Sequence, residues 1–340
     1  MKLIGIARAH TNIALIKYWG KRNKELFLPM NSSLSLTLDA FYTDTKVTFD
    51  DALTEDSFLL NGEAQAVEET NKIAKFLDLF RQQMPEYYYA KVESLNFVPT
   101  AAGLASSASA FAALAGACNL ASGLNLPIDE LSTYARRGSG SSTRSLFGGF
   151  VEWDMGSDSD ASSSRAHFID DASWDIGMVI IVVNNQKKTV SSRLGMEQTV
   201  ATSPFYPAWV ETAKTDLAQM KQAIQAKDFK TLGEITETNG MKMHATMLGA
   251  NPPICYFEPE SILAQQQVRQ LRELGIPAYM TMDAGPNVKV LCRASDMPRI
   301  KGELSKVFDE SRLITSLPGE GVISLSEADW EASKNEFFGK

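Results

Sequence analysis

The sequence predicts an α+β fold, and three features carry that expectation. Apolar and polar residues alternate with period two over Thr45–Phe49 and Tyr88–Phe97, the pattern of half-buried strands. Asn61-Gly62 lies between strand-like flanks, and a two-residue hairpin turn favours that pair because both positions take positive φ. The second half carries three long helical patterns, over residues 207–225, 229–247 and 258–274. Strands and helices thus mix without regular βαβ alternation, which favours α+β over a doubly wound sheet.

In chain order, Leu3–Ala9 reads as a first strand. An apolar run, Ile13–Ile16, then ends abruptly in Lys17, Tyr18, Trp19, Gly20, Lys21, Arg22 and Lys24. Ser35–Leu38 and Thr45–Phe49 read as two strands. Ala66–Met84 reads as an amphipathic helix, with Ile73, Phe76, Leu77 and Phe80 at helical spacing and Pro85 just beyond its end. Residues 99–124 include a helical part made almost wholly of small and apolar residues, which must be buried on most sides. Ile128–Arg137 is a second, more amphipathic helix, and Gly148–Trp153 and Met178–Val183 are strands. Between those strands SDSDASSSRAH (157–167) has low complexity and reads as a mobile surface loop. After residue 274, Ala278–Met282 and Asn287–Cys292 pair around Asp283-Ala284-Gly285-Pro286; a helix over Met297–Phe308 and a strand over Gly321–Leu325 follow. The pattern changes near residues 185–190, which sets the expected domains at 1–187 and 188–340.

Composition excludes several functions. The 340 residues suffice for a large core, and 44% hydrophobic with 22% charged residues is ordinary for a soluble protein. A net charge of −8 argues against nucleic acid as a partner but leaves room for a local cationic pocket. Cys118, Cys255 and Cys292 lie far apart with no CxxC, so neither a zinc site nor a disulfide framework is expected, and a reducing cytosol fits. No stretch approaches the roughly 20 apolar residues of a membrane span, and the N-terminal apolar run is too short for a signal peptide. A cytoplasmic protein without a membrane partner is expected.

Four stretches could carry chemistry. PTAAGLASSASA (99–110) is a small-residue loop entering a helix, where converging N–H groups make a phosphate site; Ser106 and Ser107 could add donors or ligate magnesium. It is not a Walker motif, and it reads equally as a capped, buried helix. GSGSSTRS (138–145) could form a nest of donors beside the Arg144 fork, but its composition alone favours a flexible linker. NQKKTVSSRLGM (185–196) alone is a solvated basic loop, and TMDAGP (281–286) alone is a turn. His10, His167 and His244 stand beside no nucleophile, and no GxSxG occurs, so a serine hydrolase is unsupported.

Together these stretches resemble a known family. PTAAGLASSASA resembles the phosphate loop of the GHMP kinase superfamily, PxxxGLGSSAA, with Ala105 in place of a glycine. The variant GLASSA is similar to that of mevalonate diphosphate decarboxylases. NIALIKYWGKR (12–22) with LPMNSSLSLTLD (28–39) resembles that family's N-terminal signature. GSGSSTRSLFGGFVEW (138–153) resembles its substrate loop and MDAGPNVKVL (282–291) its acid motif. Ordinary GHMP kinases carry a glycine-rich motif where this chain has MDAGPN.

The resemblance implies a two-domain GHMP kinase fold: an N-terminal domain like ribosomal protein S5 domain 2, a ferredoxin-like C-terminal domain, and the active site in the cleft between them. It implies conversion of (R)-5-diphosphomevalonate, with ATP and Mg2+, to isopentenyl diphosphate, ADP, phosphate and carbon dioxide. Asp283, Arg144, Ser192 and Asn12 would be catalytic. Tyr18, Lys21, Ser139, Gly140, Ser141, Ser142 and Arg193 would clamp the diphosphate. Ser94, Asn96, Gly103, Leu104, Ala105, Ser106, Ser107 and Lys187 would hold ATP, with Ser106 also on the metal. Lys188 would accompany Lys187, while Lys17, Trp19 and Arg22 stay open between substrate contact, ion pairing and packing. A homodimer is also implied. The alternatives are a small-molecule kinase of the same superfamily, a phosphomevalonate decarboxylase, or an inactive GHMP-fold binding protein. Ser106→Ala should raise the KM for ATP; a change in thermal stability alone would leave the capping reading standing.

Overall fold

The computed structural model describes residues 2–98, 106–184 and 190–339. Its first part runs β1 (Lys2–Ile16), β2 (Lys21–Asn23), β3 (Leu28–Pro29), β4 (Ser33–Asp50), β5 (Ser57–Leu60), β6 (Glu63–Ala64), α1 (Val67–Arg81), β7 (Tyr89–Asn96), α2 (Ser106–Ser122), α3 (Ile128–Gly138), β8 (Phe150–Trp153) and β9 (Ala166–Asp170). The second part runs β10 (Gly177–Ile181), α4 (Ser192–Thr202), α5 (Tyr206–Gln225), α6 (Phe229–Leu248), α7 (Pro259–Glu273), β11 (Ala278–Thr281), β12 (Val288–Cys292), α8 (Met297–Leu304), β13 (Leu313–Ser316), β14 (Ile323–Ser324) and α9 (Glu327–Phe338). Among the described residues no helix is long and apolar enough to cross a membrane.

The Asn-Gly hairpin forms as expected: Asn61 and Gly62 take φ of 55° and 82°, and β5 pairs with β6. Two expectations change. Ser35–Leu38 and Thr45–Phe49 belong to one strand, β4, which follows β1 along its length. The register breaks between His10 and Asn12, where Asp39 N–H instead donates to the Leu317 carbonyl at 2.9 Å and Ala40 N–H to Ser316 Oγ at 3.1 Å. Residues 157–167 are also more ordered than a mobile loop. Asp160 accepts from Ser162 in a 3₁₀ turn, Ser164 is fully buried and donates to the Asp154 carbonyl, and Ala166 opens β9.

Antiparallel pairing dominates both sheets. The first runs β14-β1-β4-β7-β5-β6, with β8 joined to β4 and β9 to β8; the second runs β11-β12-β10-β13. Helices α1, α2 and α3 cover one face of the first sheet around Val47, Phe76, Phe80, Ala112 and Leu131. Its other face meets the second sheet and helices α5 and α6 in one shared core, including Ile13, Leu15, Leu36, Met178, Ile180, Met220 and Leu291. The far face of the second sheet is sealed by α7 and α8 over Val179, Val268, Val290 and Ile300. This explains the run Ile13–Ile16: β1 is buried on both faces there, so its alternation disappears.

Sheet membership does not change at residue 187. β10 already lies in the second sheet, and the end of the chain returns to the first. There β14 pairs with β1 at Ala7 and Arg8, and Trp330 of α9 packs on Ile6 and Leu95. Trp330 is 2% exposed. Trp330→Ala should therefore destabilise the protein by about 3–5 kcal/mol in urea denaturation.

Candidate active site

The turn after β1 is held rigidly from both halves of the molecule. Lys17 N–H donates to Asn239 Oδ1 of α6 at 2.9 Å, and Asn31 Nδ2 donates to the Lys17 carbonyl at 3.0 Å. Tyr206 of α5 donates its hydroxyl to the Trp19 carbonyl at 2.6 Å. Gly20 follows at φ 113°, where a side chain would be strained and would strike Tyr206. These contacts put Tyr18 and Lys21 on one wall of a cavity of about 330 Å³. Residues Ser139, Gly140, Ser141 and Arg144 form a second wall, and Ser192 and Arg193 at the start of α4 a third. Asn12 and Asp283 close it.

The stretch 140–146 is no linker. It forms a 3₁₀ helix whose Gly140, Ser142, Thr143, Arg144, Ser145 and Leu146 are buried. Gly140 packs under aromatic rings; a Cβ there would lie 2.8 Å from Tyr18 and 2.9 Å from Trp153. Ser142 does not reach the cavity. Its hydroxyl donates to the Ala135 carbonyl at 2.7 Å and the Ser139 carbonyl at 2.6 Å, so it locks the end of α3 to the loop.

Arg144 is 2% exposed, with its Nη1 on Ser33 Oγ and its Nε without a partner among the described residues. Burial lowers it to about 10, so it stays charged at neutral pH. A buried guanidinium with an unpaired N–H calls for an anion. Asn12 donates to the Ser141 carbonyl and Ser145 Oγ, which leaves its buried Oδ1 an open acceptor. Tyr18 keeps its ring on Trp153 with centroids 4.9 Å apart, and its buried hydroxyl has no partner among the described residues.

Asp283 sits in the turn between β11 and β12. Lys17 Nζ lies 2.7 Å from its Oδ1 and Lys289 Nζ 3.3 Å from its Oδ2. Burial alone would raise the Asp283 carboxyl, but the two ammonium groups outweigh it and hold the acid well below the usual carboxylate range. Lys17, left open by the sequence, is thus the partner of the acid. Trp19 is 3% exposed and packs with Tyr206, Trp209 and Met243. Arg22 donates to Asp158 and to the Pro29 and Ser157 carbonyls, so it ties down the 157–163 turn. Lys289, Asn31 and Asn239 were missed. The signal was a lysine and an asparagine, Lys289 and Asn239, inside runs that fold as buried elements; Asn31 sits in the short connection before β4 and carries none.

A second cavity, about 780 Å³, adjoins the first, and Phe27, Ser107, Phe111, Gly138 and Arg193 line both. Ser94, Asn96, Ser106 and Ser107 face it, with Phe58, Ile73, Phe76 and Val92 as an apolar wall. Ser106 and Ser107 open α2, whose first-turn N–H groups and dipole favour phosphate. Ser139 Oγ lies 3.3 Å from Ser107 Oγ and 3.2 Å from Ser141 Oγ, a row of hydroxyls joining the two cavities. This donor set, hard oxygens beside a phosphate site, fits magnesium carried by a nucleotide. Gly103, Leu104, Ala105, Lys187 and Lys188 lie outside the described residues.

Two adjoining cavities, one at the start of α2 and one around Arg144 and Asp283, sit in a two-domain α+β frame that is the GHMP kinase fold. Residues 9–166 match the diphosphomevalonate decarboxylase-like N-terminal domain, and residues 178–335 the mevalonate 5-diphosphate decarboxylase C-terminal domain. A diphosphomevalonate decarboxylase of Gibberella zeae is 40% identical over 86% of this chain and 82% of its own length. The Homo sapiens protein of that name is 37% identical over 83% of this chain and 75% of its own. The mevalonate diphosphate decarboxylase structure from Enterococcus faecalis superposes with a TM-score of 0.90 at 54% identity, covering 96% of this chain and all of that one. The Staphylococcus aureus structure gives 0.92 at 49% identity, over 96% of this chain and 99% of its own. The chain belongs to the diphosphomevalonate decarboxylase family.

Lys21 gives this site a pH signature. Burial, with Arg193 beside it, lowers its ammonium to about 8. Below that pH it is cationic, and it loses its charge as the pH rises through 8. Isothermal titration should find inorganic diphosphate bound about 10–100-fold more tightly by the native protein than by Lys21→Met below pH 8. The gap should close above pH 8.

Proposed function

We propose that this chain catalyses the ATP-dependent decarboxylation of (R)-5-diphosphomevalonate to isopentenyl diphosphate, with ADP, phosphate and carbon dioxide as the other products. One juxtaposition carries this reading. The ionised Asp283 and the partly unpaired Arg144 share a cavity that adjoins the nucleotide side at Ser107.

Hydroxide leaves carbon poorly, so the tertiary 3-hydroxyl must first become a phosphate ester. Asp283 faces the cavity with 27% of its side chain exposed and accepts from the hydroxyl. Held far below neutral pH by Lys17 and Lys289, it is a weak base. Its role is then to aim the hydroxyl at the phosphoryl group, with the hydroxyl proton passing to an oxygen of the transferred phosphate as the new P–O bond forms and the bond to ADP breaks, in keeping with a transfer that depends on positioning and electrostatics. Asn12 and Ser192 flank the reacting end. Arg144 holds the substrate carboxylate until the new phosphate departs. Positive charge then builds at C3, and the electrons of the carboxylate bond collapse into the double bond as carbon dioxide leaves. Tyr18, Lys21, Ser139, Gly140, Ser141 and Arg193 clamp the diphosphate, and Ser142 supports the loop behind them. Ser94 and Asn96 serve the adenosine end of ATP and Lys187 its terminal phosphate. Magnesium, bound through the phosphates with Ser106, would neutralise charge on the transferring group.

We also propose that residues from 177 to about 316 form the second domain and that the final segment rejoins the first; sheet membership supports that division in preference to a break at 187. A cytoplasmic setting is supported by the three free cysteines. A homodimer is proposed from the family resemblance, and light scattering tests it.

Asp283→Ala should lower turnover about a thousandfold while ATP affinity stays near normal. Native-like turnover would sink the reading. Carbon dioxide released in step with ADP from the diphosphate, and not from 5-phosphomevalonate, separates this activity from a kinase and from a monophosphate decarboxylase.

A further inference from the structure

Lys289 has no role in the scheme above beyond its charge, yet the second sheet buries it completely. Every residue of β12, Val288-Lys289-Val290-Leu291-Cys292, is buried. Val288, Val290 and Cys292 face the core under α7 and α8, and Leu291 faces the core shared with the first sheet. Strand alternation puts Lys289 on the same face as Leu291. Its ladder partner on β10 is Ile180, itself a member of the shared core. The Lys289 side chain is 1% exposed; its Nζ lies 3.3 Å from Asp283 Oδ2 and 3.3 Å from the Asn287 carbonyl. Lys17, reaching from the end of β1, takes the other oxygen at 2.7 Å. A buried ammonium is tolerated only opposite matching charge. An aliphatic residue would suit the sheet better, so the lysine answers to Asp283 and not to packing.

We propose that Lys289 is a positioning residue for the reaction: by holding the second oxygen of Asp283 it fixes the plane of the carboxylate and aims its exposed edge at the substrate hydroxyl. This rests on the function given above. Lys17 alone anchors one oxygen and leaves the group free to turn about its Cβ–Cγ bond. The second contact removes that freedom and makes the carboxylate a poor proton acceptor. Among the described residues, the other ionisable groups that interact with Asp283 are Arg144 of the 3₁₀ helix and His244 of α6. His244 is lowered to about 4, chiefly by burial, and is neutral at working pH. Arg144 stays charged but spends its Nη1 on Ser33 Oγ, so among the described residues the two lysines are the cations in direct contact with the carboxylate and set its orientation.

The test is Lys289→Met, with Lys289→Gln as a second variant that keeps an N–H donor and removes charge. The expected result is a kcat lowered about tenfold or more with both KM values within about threefold. The acid limb of the kcat profile should move up by roughly one pH unit, because one of two neighbouring cations is gone. In an Asp283→Asn background the same substitution should cost nothing further. An unchanged kcat and acid limb, or an equal loss in the Asp283→Asn background, overturns the proposal. If the native protein releases no carbon dioxide, the functional reading fails separately. The Asp283 carboxyl titration, followed by carbon NMR in native protein and Lys289→Gln, then decides the positioning claim alone: a raised Asp283 value supports it and an unmoved one overturns it. The same titration decides the matter if Lys289→Met does not fold.

Discussion

The Lys17–Asp283 ion pair joins the end of β1 to the turn between β11 and β12, and so ties one sheet to the other across the cavity. Both groups are expensive to bury, and each offsets part of the cost of the other. Their neighbours are arranged to keep the pair in place. Asn31 and Asn239 clamp the main chain of Lys17, and Asp216 of α5 accepts from Asn239 while pairing with Lys242. Tyr206 holds the next residue but one. The positions of Tyr18 and Lys21 follow from these contacts, since both hang from the same short stretch of main chain. A site for a multiply charged ligand thus rests on a cationic excess that the protein itself only partly neutralises.

That excess is local. The chain as a whole carries −8, yet Lys17, Lys21, Arg144 and Arg193 converge on one cavity with Asp283 as its acid. A cationic cleft in a chain of net negative charge can attract a small anion without recruiting polyanions.

How much could be read from the sequence depended on where the chemistry lay. Asp283, Arg144, Gly140 and the serines of α2 lie in loops and helix starts, where small residues beside a lone charge have few structural reasons to occur. The Asn-Gly turn was legible because its backbone demands those residues. Other features were hidden by tertiary context. Lys289 sits within an apolar strand, and only the facing Asp283 explains it. Ser142 shares the composition of its neighbours but spends its hydroxyl on main-chain carbonyls. The polar stretch 157–164 looked unstructured because its order comes from short Ser–Asp bonds and from Arg22, a residue far away in the chain. The single strand β4 could not be inferred because residues 39–40 bond to a segment nearly 280 residues later.

That last feature bears on how the protein is made. Gly319 N–H donates to the Thr37 carbonyl and Gly149 N–H to the Gly319 carbonyl, so the late segment is threaded between β4 and the turn before β8. Val322 N–H donates to the Leu146 carbonyl, directly behind the 3₁₀ helix that presents Arg144. A ribosome delivers these residues long after the strands they join. Until then β1 has an unpaired edge at Ala7 and Arg8, and the Arg144 loop lacks its backing. The first half of the chain therefore waits, incomplete, until that segment is made, and its exposed strand edge during that interval is a point at which a nascent chain can mispair or engage a chaperone.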